Sequence, residues 1–150
     1  MKNKKTLFFI LQDLDIEGCP ILALNLIDQY KKQNLNIVIL RFTNFCNDLL
    51  ESFQSENVEI ESYNLGKSGY LRYIRIIYKT FIFCKKYKPI SILCFPLGWH
   101  AFVAIGARLS GVKNICCHAG NIFPNSKNKN HFKMNLLIQI GNPFTRKIIC

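Results

Sequence analysis

The sequence predicts an α/β domain, Rossmann-like, with a mostly parallel twisted sheet and helices on both faces. Three observations lead there. Short apolar runs alternate along the chain with longer stretches of helical periodicity, an order that implies right-handed crossovers between parallel strands. The short runs, such as 7–11 and 37–40, lack the polar alternation of a half-exposed strand, so they belong in a sheet covered on both sides. Hydrophobic residues make up 49% of the 150, enough for one core and far from a disordered composition.

The first strand, 6–12, sits in "MKNKKTLFFILQDLD". That opening imitates a secretion signal, but its apolar core is short and acids follow where small residues would mark cleavage. A helix follows over 20–33, with Pro20 in its first turn and Ile21, Leu22, Leu24, Leu26 and Ile27 as its apolar positions. Strand 36–42, a short helix near 47–54 and strand 58–64 come next, then helix 70–87. The apolar region 90–112 contains Pro96, His100 and Arg108, so it divides into strand 90–95, a turn and helix 100–109 rather than crossing a membrane. Strand 114–117, a polar loop to about residue 130, helix 132–140 and a strand from Arg146 complete the order. The chain reads as one domain, 1–150, ending inside a strand like a domain cut short.

Charge is unevenly placed. All nine acids lie between Asp13 and Glu61, and fourteen of the twenty bases follow Ser62 with no acid among them. A one-signed field of this kind attracts phosphorylated substrates, anionic lipid or nucleic acid. Codon bias toward Lys, Asn and Ile accounts for an excess of lysine but not for the missing acids. The seven cysteines form no CxxC pair and have no matching histidine cluster, so they read as small buried hydrophobes in a reducing compartment, with no metal site.

Candidate chemistry gathers where strands end. The turn "IEGCP" is not GxGxxG, yet Glu17-Gly18 leads into a helix whose first N–H groups are free to meet an anion; the other reading is an ordinary strand-to-helix turn. Asp13 and Asp15 suggest a receiver-type pocket, which needs a further acid after a middle strand that the sequence lacks. His100 and His118 both follow strands, at the edge where open α/β sheets bind ligands; each reads either as a ligand contact or as a core cap, and the matched positions favour contact for His118. No Ser or Cys elbow accompanies them, so a hydrolase triad is excluded. Helix 70–87 carries Arg72, Arg75, Lys79, Lys85 and Lys86, a basic face suited to an anionic membrane surface, while its apolar face is expected to cover the sheet.

Taken in order, "KKTLFFILQDLDIEGCPILALNLIDQYKKQNLNIVILRF", "KKYKPISILCFPLGWHAFVAIGARLSGVKNICCHAGN" and the final "RKIIC" resemble the N-terminal, acceptor-side domain of GT-B glycosyltransferases of the family-4 type. The resemblance implies the N-terminal half of a GT-B fold, facing a donor-binding domain or subunit that these residues do not include. It implies a catalytic His118 beside the transferred sugar, a donor-phosphate-facing turn at Glu17 and Gly18, and acceptor or sugar contacts from His100, Gly120 and Asn121. Where the family has two adjacent glycines at that turn, this chain has Glu17-Gly18.

The activity so implied is transfer of a sugar from a nucleotide-sugar to a cell-surface saccharide or lipid-linked acceptor with retention. It uses the nucleotide-sugar as co-substrate, with no cofactor and no metal, in the cytoplasm or peripherally on the inner face of the plasma membrane. A retaining transfer lets the leaving phosphate act as base, so this domain need not supply a carboxylate. These 150 residues alone are expected to be inactive. Nucleic acid is not among the partners of that reading. The alternative, resting on the acid-free second half, is a non-catalytic basic α/β module binding nucleic acid or another anionic partner.

Overall fold

The computed structural model describes residues 5–65, 69–119 and 129–149. Six strands are present: β1 (Lys5–Leu11), β2 (Leu35–Arg41), β3 (Glu59–Ser62), β4 (Ser91–Cys94), β5 (Ile115–His118) and β6 (Lys147–Ile149). They form one parallel sheet in the order β3-β2-β1-β4-β5-β6. The helices are α1 (Gly18–Lys32), α2 (Leu50–Ser55), α3 (Leu71–Tyr87), α4 (His100–Ser110) and α5 (Lys129–Gly141), the last followed by a 3-10 turn at Asn142–Phe144. Every predicted element exists; the boundaries differ by at most three residues, as fraying and capping make them.

Strand order reverses between β1 and β4, so the loops leaving those two strands diverge to opposite faces and open a crevice at their carboxyl ends. Alternation of side chains then builds two cores. Phe8, Ile10, Val38, Leu40, Ile92 and Cys94 join Ile76 and Phe83 of α3 and Val103, Ala104 and Ala107 of α4. Leu7, Phe9, Leu11, Ile37, Ile39 and Phe95 face the other way, toward Ala23 and Ile27 of α1 and Phe53 of α2. This is why β1 reads as continuous apolar sequence: both of its faces are inside.

Helices α3 and α4 approach closely because residue 106 is glycine. A β-carbon there would lie 2.4 Å from the Ile77 carbonyl oxygen and 3.0 Å from Thr80 Cβ. Thr80, buried at this crossing, is hydrogen-bonded to the Tyr63 hydroxyl at 2.8 Å, so its polar atom is satisfied.

The exposed surface of α3 departs from expectation. Its inner face is buried as predicted, through Ile76, Thr80, Phe83 and Cys84. Its outer face is not simply basic: Leu71, Ile74, Tyr78 and Ile82 stand exposed along it. Of the five cations expected to share a membrane-facing surface, Arg72 is half-buried with its guanidinium 4.1 Å from the centre of the Trp99 ring, and Lys86 is paired with Glu61 at 2.7 Å. Arg72 therefore belongs to the aromatic cluster at the carboxyl edge, not to the outer basic face. Among the described residues, no helix is long and apolar enough to cross a membrane.

Candidate active site

The crevice holds a cavity of about 380 Å³. That is within the range of small-molecule sites. It is lined from β1 and its turn by Gln12, Asp13, Asp15, Glu17 and Gly18, from the start of α1 by Cys19 and Pro20, from the β4–α4 turn by Phe95, Pro96, Leu97 and Trp99, from β5 by His118, and from α5 by Met134.

Asp13 is buried and structural. Its carboxylate accepts hydrogen bonds from the N–H groups of Leu14 (3.0 Å), Phe45 (2.8 Å) and Cys46 (3.1 Å) and from the Thr43 hydroxyl (2.7 Å), with Arg41 Nη1 at 3.8 Å. These bonds tie the β1–α1 turn to the loop after β2 and leave little capacity for a ligand. Among the described residues, the Asp15 and Glu17 carboxylates have no such hydrogen bonds, and they carry the cavity's remaining negative charge. No three His, Cys, Asp or Glu side chains converge as metal ligands do among the described residues.

Neither backbone strain nor packing requires glycine at 18: its φ is not positive and a β-carbon there would have open space within 4 Å. The missing side chain leaves the mouth of the cavity clear above the first turn of α1. Cys19 beside it is disfavoured as a thiolate. Burial raises its thiol pKa, and the charges of Glu17 and Asp15 raise it further.

His118 leaves β5 on the same face as Phe95, their rings 5.7 Å apart and inclined at 49°. It is half-buried, and its Nδ1 is buried with no hydrogen-bond partner among the described residues. His100 has a different fate. It is fully buried, does not line the cavity, and its Nδ1 accepts the Gly98 N–H at 3.0 Å. Gly98 itself has φ +86°, the left-handed region that suits glycine, and Met134 of α5 packs where a side chain would stand. Gly141 of α5 lies over His100 Nε2, which has no partner among the described residues. The expectation that both imidazoles face one ligand is thus corrected: at the first position of α4 the ring turns inward to hold the preceding turn. Burial lowers its pKa to about 4. Gly120 and Asn121 lie outside the described residues.

Sequence reasoning passed over much of the apolar wall. Trp99 had a signal, since a lone tryptophan in a strand-to-helix turn is a site residue by position. It is stacked on Phe42 (5.3 Å, 27°) with the Arg72 guanidinium against its ring. Met134 had none, because its place depends on how α5 folds back over the β4–α4 turn.

No protein-family model matches the chain, and no curated protein matches its sequence. Solved structures do. MurG of Acinetobacter baumannii is 17% identical, with a TM-score of 0.66 over 96% of this chain and 40% of that one. HepE of Anabaena, in complex with UDP and glucose, is 12% identical with a TM-score of 0.71, over 95% of this chain and 37% of that one. A putative UDP-N-acetylglucosamine 2-epimerase of Listeria monocytogenes is 10% identical with a TM-score of 0.67, over 97% and 39%. At such identities the likeness is one of fold: a Rossmann-like half of the GT-B type. The chain spans two-fifths or less of the length of these three structures.

Proposed function

We propose that this chain forms the acceptor-side wall of a sugar-transferring enzyme that uses a nucleotide-sugar donor. The observation that carries the reading is the cavity at the point where strand order reverses, with His118, two carboxylates and Trp99 around a mouth that Gly18 leaves open. HepE is in complex with UDP and glucose and the Listeria protein is a putative UDP-N-acetylglucosamine 2-epimerase, which supports nucleotide-sugar chemistry for this chain. The epimerase among them means that the fold is also used without transfer to an acceptor; transfer is chosen here on the resemblance around His118.

The acidic turn bears on which part of the substrates it meets. At 4 Å, two unit charges near a protein surface repel by about 4 kcal/mol. A helix start offers an anion roughly 0.3–1 kcal/mol. Repulsion wins wherever Asp15 or Glu17 faces a phosphate directly, whereas both accept hydrogen bonds from hydroxyls. Saccharide hydroxyls therefore suit the carboxylates, and the donor diphosphate suits only the clear space over Gly18. In this reading His118, half-buried beside Phe95, hydrogen-bonds a hydroxyl of the transferred sugar. Retention follows the resemblance and lets the leaving phosphate take the acceptor proton; an inverting route would instead use Asp15 or Glu17 as base. The acceptor is a saccharide or lipid-linked saccharide, met at the cytoplasmic face of a membrane.

The test joins the chain to a donor-binding domain and follows nucleotide release and the anomeric configuration of the product. His118→Ala is expected to reduce turnover on the order of 10²-fold while leaving the melting temperature within a degree or so, because the ring is half-exposed and its bonds are made to substrate. Activity that falls only with the folded fraction would make His118 a structural residue and remove the proposal's central contact.

A further inference from the structure

The twenty bases of this chain outnumber its nine acids, yet its cavity has the opposite sign. Among the described residues no lysine or arginine lines it, while Asp13, Asp15 and Glu17 do. Two guanidinium groups touch lining residues without lining the cavity themselves. Arg41 lies 3.8 Å from Asp13 and donates to the Asn47 side chain at 2.6 Å, and Arg72 lies against the Trp99 ring. The hydrogen bonds that hold Asp13 in the fold leave two carboxylates over, Asp15 half-buried and Glu17 exposed. Their field reaches the thiols beside them. Burial raises the pKa of Cys19 and of Cys46; Glu17 and Asp15 raise the first further, and Asp13, Asp15, Asp48 and Glu17 the second.

Such a cavity discriminates by charge. A carboxylate accepts a hydrogen bond from any hydroxyl, but a bond from an ammonium group is charge-assisted at both ends and roughly twice as strong. A ligand carboxylate in the same place meets like charge and gives up its water for no partner. The rest of the lining suits a sugar ring. Phe95, Pro96 and Trp99 offer an apolar wall to its C–H faces, and His118 has a buried Nδ1 without a partner among the described residues. At about 380 Å³ the cavity is toward the small end of ligand sites, so it takes the terminal ring of a longer chain.

We propose that the cavity selects an acceptor sugar bearing a free amino group, its ammonium held by the Asp15 and Glu17 carboxylates, and discriminates against a uronic acid in the same place. The assignment rests on the proposed function, whose acceptor class it names. It runs against the net charge of the molecule: the basic surface draws anions in general, and the acidic cavity turns them away where the acceptor is recognised.

Trp99 is the only tryptophan of the chain and lines the cavity, so its fluorescence reports occupancy. The chain is titrated with methyl glucosaminide, methyl glucoside and methyl glucuronide at about pH 6, where the amine and the carboxylates are all charged. The glucosaminide is expected to bind about tenfold more tightly than the glucoside, and the glucuronide more weakly than either. Its advantage should shrink as salt is raised from about 0.05 to about 0.5 M. The double variant Asp15→Asn, Glu17→Gln should keep its melting temperature and bind glucosaminide and glucoside alike. Equal binding of the three glycosides, or a preference for the glucosaminide that the double variant retains, would overturn the assignment while leaving the transfer reading in place with a neutral acceptor. Binding of none of them would overturn it too. The transfer reading is then judged separately, by nucleotide release from the fused enzyme and its His118→Ala variant.

Discussion

His100 and His118 stand at equivalent points, each at the carboxyl edge of a strand, and their burial separates their roles. His118 keeps part of its ring at the cavity. His100 is enclosed, with its proton on Nε2 because Nδ1 accepts from Gly98, and with Gly141 above it. Charging such a ring costs free energy, which is why its pKa falls from 6.5 to about 4. The sign follows from proton counting: between those values the unfolded chain binds the proton and the folded chain does not, so stability rises with pH. His100 thus contributes stability that is complete above pH 6.5 and declines as pH falls toward 4. The loss is on the order of 3 kcal/mol at most. His100→Asn retains an acceptor for the Gly98 N–H and does not titrate. The melting temperature of the parent should fall more steeply between pH 7 and 4 than that of the variant; parallel curves would mean that the imidazole is solvated.

At the level of elements, the α3–α4 crossing shows a local preference overruled by packing. An alanine in place of a mid-helix glycine ordinarily adds about 1 kcal/mol of stability. At 106 the added methyl would press on the Ile77 carbonyl at 2.4 Å, a backbone atom that cannot rotate away. Overpacking of that kind costs about 1–3 kcal/mol, so Gly106→Ala should be destabilising by roughly 1 kcal/mol and Gly106→Val by more. Urea titration of the two variants checks the order. A stabilised alanine variant would mean that the helices separate easily. The same two helices show how far a pattern reaches. The apolar content of α3 announces a buried helix, but which of its apolar residues are inside depends on how it packs on the sheet and on α4, and four of its eleven, Leu71, Ile74, Tyr78 and Ile82, prove to be exposed.

For the whole molecule, the cavity is open and one-sided, and GT-B transfer as the resemblance implies it takes place in a cleft between two domains. The chain by itself should therefore bind a UDP-sugar weakly and transfer nothing, since one wall neither completes the donor contacts nor excludes water. Calorimetry with UDP-glucose and an assay of nucleotide release check this; tight binding or turnover by the chain alone would require a complete site within it. The order of strands and helices was legible in the residues because it follows from local periodicity, each apolar run declaring its own length and burial. The parallel sheet followed from that order through the handedness of crossovers, and the edge where His118 would stand followed from the sheet. The enclosure of His100, the hydrogen bonds that commit Asp13 to the fold, Met134 in the cavity wall and the exposed stripe of α3 were decided only by tertiary structure. Each depends on residues far apart in the chain meeting across helices and turns, and a side chain's type does not say which neighbours will cover it.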